Sequence, residues 1–364
     1  MQYSVSNQQE TAILYVLVMK KFVLITIILV ALFSFTACSP GYVIRGAWEE
    51  VKILSRREKI DDIIKDKKLS DTERSKLELV MAAREFAVRK GLNVGKSYSQ
   101  YAPIDSSALV WVLTAAPKFK MEPMLWWFPI VGSVPYKGFF SKEDALELKN
   151  ELEAQEYDVF VRSSSAFSTL GWFNDPVLST MVKGDEVSLV DTVLHEILHR
   201  TLWIPGSVEF NESLANFVGG QLAKEFFVER VDEARVSLAS FRQKEEFEFS
   251  VFILALSEEL ETLYASNDPD MARKKIEIVE RARTVWNSRL KNEQSNYSLD
   301  KFPLSNASIL GLRAYLRGLK GFDGLYVKCN QDFSQFIKYL KALKRSSTDE
   351  LFLQIEPSTR LPSP

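Results

Sequence analysis

Histidine and cysteine are almost missing from this 364-residue chain, which has two of each. Two cysteines leave room for one disulfide at most, so no disulfide framework holds the fold and its stability must come from a core. Two histidines exclude any site that needs several imidazoles. If both serve one centre, none remains for a serine-histidine-carboxylate triad. A basic excess is absent too: 46 Lys and Arg stand against 48 Asp and Glu, a net charge of −2, so nothing electrostatic points to nucleic acid. Repeats and long low-complexity tracts are also absent. The longest apolar run, Phe22–Phe35, is fourteen residues, short of the ~20 that span a bilayer.

That run is informative for where it stands. "MKKFVLITIILVALFSFTAC" (19–38) has two lysines, an apolar stretch and a small-residue end before Cys38, the layout of a secretory signal. "FTAC" followed by "SP" resembles the lipobox of bacterial lipoproteins. The resemblance implies cleavage before Cys38, lipidation of that cysteine, and a body held on a bacterial membrane, facing the periplasm or the exterior. Ser39 would permit outer-membrane sorting in an organism that has an outer membrane. An uncleaved N-terminal anchor is the alternative. Residues 1–18 add nothing a signal needs, so they read as an over-extended start ahead of Met19. With Cys38 lipidated, Cys329 has no partner.

The remaining boundaries are a single domain over 38–350 and a polar tail over 351–364. Helical period dominates 41–91, where Ser70 and Glu73 stand at capping-box spacing ahead of Leu77, Val80, Met81 and Phe86. Between 107 and 182 the character changes. "SALVWVLTA", "MLWWFPIVG" and "YDVFVRSSS" read as strands, "SKEDALELKNELEAQEY" as a charged helix capped by Ser141, and "DPVLSTMV" as a short fourth strand. From 221 to 266 one long helical run precedes the turn "NDPD", and a second helix follows; together they read as a long helical hairpin. Further helices are expected near 305–319 and 330–345. The fold class is α+β: mostly helical, with one small β-sheet.

Both histidines lie in "VDTVLHEILHRTLW" (190–203). On a helix His195 and His199 share one face, so they can hold one ion between them, and Glu196 reaches the edge of that site. Val190, Val193, Leu194, Ile197, Leu198 and Leu202 supply an apolar side. H-E-x-x-H is the zinc metallopeptidase signature, with two imidazoles on Zn2+ and the glutamate as general base. Two histidines placed at random fall four apart less than ~1% of the time. A helix that merely carries two imidazoles is the bland alternative. Zinc needs a third protein ligand. Glu212 in "VEFNESLANFVGG" suits it, because Pro205 and Gly206 let the chain turn into a second helix. Glu209 is the rival, expected in the loop.

"HEILH" with downstream "NESLA" looks like the gluzincin clan of zinc peptidases, which implies a zincin-like fold with a glutamate from the following helix completing the metal shell. In order along the chain, "WWFPIVGSVPYKGFF", "AFSTLGWFNDPVLSTM", "LHEILH", "FNESLANFVG" and "SNASILGLRAY" resemble the bacterial family of putative aminopeptidases, whose members also begin with a lipoprotein-like signal. Phe167 departs from the tyrosine expected in "AFSTLGWF".

Roles for other residues stay open. Asn216, one turn after Glu212, or Asp191, one turn before His195, could orient an imidazole. The oxyanion donor cannot be a histidine; Tyr315 or Asn306 could serve, and a tyrosine packed in the core is the alternative for Tyr315. Asp175 could bind a substrate amine beside an edge strand, or simply begin an Asp-Pro turn. Trp126, Trp127 and residues 171–173 could line a subsite or pack in the core. The expected activity is zinc-dependent hydrolysis of peptides or proteins, by an aminopeptidase. An endopeptidase, and a non-catalytic zinc-stabilised envelope lipoprotein, are the alternatives.

Overall fold

Local signals start most of the elements in the computed structural model, which describes residues 40–355 apart from 66–68, 105–109, 129–131, 165–173, 291–294, 296 and 345–346. The signal segment with Cys38, Phe167, the aromatics at 171–173 and the tail beyond 355 lie outside the described residues. The chain divides into two units, Met1–Glu50 and Val51–Pro364. Helix α1 (Pro40–Ser55) begins in the first, and every later element belongs to the second.

The second unit opens with β1 (Glu58–Lys59), α2 (Ile60–Ile63), α3 (Asp71–Arg89) and β2 (Gln100–Ala102). The Ser70 hydroxyl accepts the Glu73 N–H while Glu73 reaches back, the expected capping box. Next come β3 (Val110–Pro117), β4 (Trp126–Phe128), β5 (Gly132–Val134), β6 (Lys137–Phe139), α4 (Lys142–Ala154), β7 (Tyr157–Ser164) and β8 (Val177–Leu178). Ser141 caps α4 through the Asp144 N–H. Among the described residues the strands make three small sheets, ordered β1-β2-β8, β6-β3-β7 and β4-β5, where one sheet was expected. The strands are too short to merge: β8 has two residues before the chain turns into α5 (Ser179–Val182), so "DPVLSTMV" is two residues of strand followed by four of helix. Only β3 and β7 pair at length, antiparallel from Val110↔Ser164 to Pro117↔Tyr157.

The rest is helical: α6 (Glu186–Thr201), α7 (Val208–Glu229), α8 (Glu233–Ala265), α9 (Met271–Asn287), α10 (Asn306–Leu316), α11 (Leu319–Lys328), α12 (Phe333–Ala342) and α13 (Thr348–Ile355). The run expected over 221–266 breaks at Val231, whose φ is 55°, and Asp232 then caps α8 through the Arg235 N–H. Helices α8 and α9 pack through Phe249 and Phe252 against Trp286, at ring centroids of 4.8 and 5.0 Å, and through the Arg281–Glu259 ion pair. The polar tail expected from 351 begins later, because Leu351, Phe352 and Ile355 are buried on α13. Cys329 is a buried free thiol. Among the described residues no helix is long and apolar enough to cross a membrane.

Helix α6 runs through the middle of this body, against α3, α7 and α8. Val190, Val193, Leu194 and Ile197 are fully buried, so its orientation is fixed by packing on several sides. Helix α10 lies against α7, α8, β3 and β7 and links the helical and strand regions. Asn306 makes that junction. Its amide donates to the Pro117 and Lys118 carbonyls at 2.9 and 3.0 Å, and its carbonyl accepts from the Tyr264 hydroxyl at 2.8 Å.

Candidate metal centre

Two helices build the site. Asp185 caps α6, accepting the N–H groups of Val187 and Ser188, and Arg242 on α8 clamps its carboxylate at 2.9 and 3.0 Å. Three turns on, the imidazoles of His195 and His199 turn to one side, their Nε2 atoms 3.2 Å apart. The turn to α7 is pinned by Asn211, whose buried amide accepts from the Ile204 N–H at 2.9 Å and donates to the Ile204 carbonyl at 2.8 Å. Gly206, at φ +80, supplies the left-handed step before it. Glu212, the residue after Asn211, then aims Oε2 to within 3.5 Å of His195 Nε2 and 3.6 Å of His199 Nε2.

Gly219, two turns beyond Glu212, lets α7 pass close to α6. A Cβ there would stand 2.9 Å from the Asp191 carbonyl oxygen and 3.2 Å from the His195 Cβ, and would overlap the Asp191 carboxylate.

Those three donors can hold a metal ion. An ion bound tetrahedrally at ~2.0–2.1 Å separates its ligand atoms by about 3.3 Å, close to the 3.2, 3.5 and 3.6 Å found. The electrostatics also favour a cation. Burial works against charging Glu212, yet the two imidazoles hold its carboxyl well below the usual carboxylate range. Burial likewise disfavours the His195 imidazolium, but the Glu212 hydrogen bond and the charges of Glu196, Glu212 and Asp191 push it up to about 9. The bland alternative, two imidazoles without a common target, does not describe this geometry. Trp203 packs edge-on against the His199 ring at 5.3 Å.

Glu196 is half-buried beside this group, and its charge acts on His195, Tyr98, Tyr136 and Tyr315. The Tyr315 ring stacks on His195 at a centroid distance of 6.3 Å. Its hydroxyl accepts a hydrogen bond from Arg162 Nη2 at 3.3 Å. Burial raises the Tyr315 phenol well above its ordinary value, and the Glu212 charge adds to this. The phenol therefore keeps its proton at neutral pH.

The other expected residues divide. Asn216 orients no imidazole: its amide donates to Glu246 at 2.8 Å and to the Tyr315 carbonyl at 3.2 Å, because its side chain faces α8 and α10. Asp191 acts on His195 beside Glu196 and Glu212; burial, then the Glu246 charge, push it up to about 7. Asn306 is spent on the α10 junction. Glu209 lies in the first turn of α7, not in a loop, and pairs with Arg313 and Arg317 at 3.2 and 3.0 Å. Asp175 is buried at 4% exposure, where its carbonyl accepts the Tyr98 N–H at 2.7 Å, so it offers no open carboxylate to an arriving amine. Trp127 is exposed on β4.

Sequence reasoning missed Arg162, Tyr136, Tyr98 and Gly219. Tyr136 joins the centre from the β5–β6 link: burial, then Glu212, Tyr315 and Glu196, raise its phenol against the pull of Arg162. Tyr98 is fully buried at a φ of 58°, with Glu196 and Asp175 beside it. None of the four carries a periodic signal; Pro135 before Tyr136 was the nearest hint.

The chain belongs to the putative aminopeptidase family, whose sequence model matches residues 41–352. Membership implies a peptidase with peptide substrates. No curated protein and no solved structure matches the chain.

Proposed function

We propose that this member of the family is a zinc-dependent peptidase of the gluzincin type, with a zincin-like arrangement in which His195, His199 and Glu212 hold the ion. The convergence of those three donors, with Glu196 beside them on the helix of the two histidines, carries the reading. Bound zinc would supply Lewis-acid polarisation of the scissile carbonyl and an acidified water. Glu196 accepts the proton of the attacking water and delivers it to the leaving amine. The Tyr315 hydroxyl, kept protonated, donates to the carbonyl oxygen as it gains charge. Arg162 donates to the phenol oxygen, which leaves the phenolic proton directed at the substrate. Asp191 faces His195 and steadies the ring.

Aminopeptidase action is the family's implication. The burial of Asp175 favours keeping endopeptidase action as a second reading, since it withdraws the carboxylate expected to bind a free amine. The signal-like segment 19–38 supports export and lipid anchoring at Cys38, with the body facing the periplasm or the exterior.

The test uses the body from Ser39 onward, wild type beside Glu196→Gln, with zinc content and hydrolysis of free and N-blocked peptides measured together. Zinc in both proteins with turnover about 10²–10⁴-fold lower in the variant supports the reading. Preference for free termini makes it an aminopeptidase. Zinc in both with no turnover in either leaves a zinc-stabilised lipoprotein, and no zinc in either rejects the centre.

A further inference from the structure

Arg162 stands near the end of β7, half-buried beside the metal-binding group. Its neighbours are unusual. Nη2 donates to the Tyr315 hydroxyl at 3.3 Å, and the guanidinium lies over the same ring at 5.6 Å. No carboxylate among the described residues pairs with it. The comparable arginines nearby are neutralised: Arg313 by Glu209 and Glu261, Arg317 by Glu209 and Asp349, Arg242 by Asp185.

A guanidinium is charged at every accessible pH and carries five N–H donors in a planar fork that matches a carboxylate. One of the five is committed to Tyr315. A partly desolvated cation of this kind is stabilised by an anion that arrives with the ligand. Nη2 lies 3.3 Å from the Tyr315 hydroxyl that donates to the scissile carbonyl in the peptidase reading, so the charge lies about two hydrogen-bond lengths, ~6 Å, from that carbonyl. A peptide advances ~3.3–3.6 Å per residue, which puts that charge within one or two residues of a carbonyl at the centre. A peptide's only α-carboxylate is at its C-terminal end, on the leaving side of the cut bond.

We infer that Arg162 recognises a carboxylate on the leaving side of the substrate, one or two residues beyond the scissile bond. This rests on the peptidase reading above. The substrate class is short peptides with a free C-terminus, or longer ones with an acidic side chain at that position; the chemistry is shared, and the experiment separates the two.

The measurement is equilibrium titration of the zinc-loaded body, wild type, Arg162→Met and Arg162→Lys, with three uncleavable probes. Each is a dipeptide whose peptide bond is reduced to CH2–NH: alanyl-alanine free acid, its C-terminal amide, and the amide with glutamate in second position. Wild type should bind the free acid about ten- to a hundred-fold more tightly than the amide. Arg162→Met should abolish that ratio, while Arg162→Lys retains part of it. A glutamyl amide that binds as tightly as the free acid assigns the acidic side chain as a source; one that binds like the plain amide assigns the terminus. Equal binding of all three probes by wild type overturns the inference, as does a ratio that persists in Arg162→Met. So does an equal loss for every probe, which would mean that Arg162 acts only through Tyr315. Thermal unfolding of both variants near wild type shows that they are folded. Hydrolysis by wild type, followed separately, tells the two readings apart: absent turnover with an intact ratio strikes the peptidase reading alone, and turnover without the ratio strikes this inference alone.

Discussion

Replacing Gly219 by alanine sets two effects of opposite sign against each other. In a free helix interior the change stabilises by about 1 kcal/mol, because glycine loses more backbone freedom on folding. Here the added Cβ would stand 2.9 Å from the Asp191 carbonyl oxygen and 3.2 Å from the His195 Cβ, besides overlapping the Asp191 carboxylate. The carboxylate can swing away, at the expense of its position beside His195. The carbonyl belongs to the backbone of α6 and cannot, so restoring ordinary contact parts α6 and α7 by ~0.5 Å. Overpacking of this size costs about 1–3 kcal/mol, which leaves a net loss of up to about 2 kcal/mol after the propensity gain. Glu212 lies two turns earlier on the same helix, so the separation is passed to the 3.5 and 3.6 Å spacings that it makes with the imidazoles. Gly219→Ala should melt lower than wild type and bind zinc about ten-fold more weakly, by the 1.4 kcal/mol-per-decade conversion. Differential scanning calorimetry of the ion-free protein and zinc competition against a chelator measure both. A variant that melts at or above wild type with unchanged zinc affinity would show that propensity wins and that the helices do not touch as described.

Three further expectations rest on single residues. In the ion-free protein the His195 imidazole is pushed up to about 9, so zinc must displace its proton below that pH; binding should weaken as pH falls from 9 and should release about one proton per ion at pH 7. Calorimetry in two buffers of different ionisation enthalpy counts that proton, and a count of zero contradicts the electrostatic account. Asp185→Ala removes the cap of α6 and the Arg242 pair, at about 1–2 kcal/mol. Burial opposes ionising Asp185, but Arg242 and Ser188 lower its carboxyl from 3.8 to about 2; its contribution is therefore complete above 3.8 and is lost as pH falls through 2, and the variant's stability should be flatter across that window than wild type's. Asn306→Ala leaves the Pro117 and Lys118 carbonyls unmet, and urea unfolding should show a loss of about 2–3 kcal/mol with wild-type zinc content. A change below ~0.5 kcal/mol would mean that water replaces the amide.

Elements whose cause is local were readable from the chain. The Ser70–Glu73 box and the Ser141 cap are satisfied within one turn of the backbone, and the buried side of α6 follows the 3.6-residue period. The strands were readable as extended segments, but their pairing was not. Whether β8 joins β3 or pairs with β2 depends on contacts between segments some 75 residues apart, as in the Ile104–Ser179 hydrogen bond, and period carries no information on such pairing. The break at Val231 was hidden for another reason. A β-branched residue disfavours φ > 0, so the residue type argues against the turn that it makes.

The centre divides along the same line. His195, Glu196 and His199 belong to one helix, where spacing alone sets direction, and Glu212 comes into range once a short turn must bring α7 back across α6. Beyond that distance residue type stops being a guide. Asn216 and Asp191 were equal candidates for steadying an imidazole, since each lies one turn from a ligand. Asp191 and His195 are neighbours one turn apart on α6, where Gly219 passes close to both, while the side of α7 that faces α8 and α10 takes Asn216 to Glu246 and the Tyr315 carbonyl. Through that second contact Asn216 holds the backbone of the residue whose ring lies on His195, and the Tyr297 hydroxyl donates to the same Glu246 oxygen, Oε1, at 2.9 Å. The polar residue that sequence placed beside the candidate ligands thus acts on the centre through Tyr315, by fixing where α10 sits, and its Nδ2 bonds hold it toward α8 and α10 and away from the imidazoles.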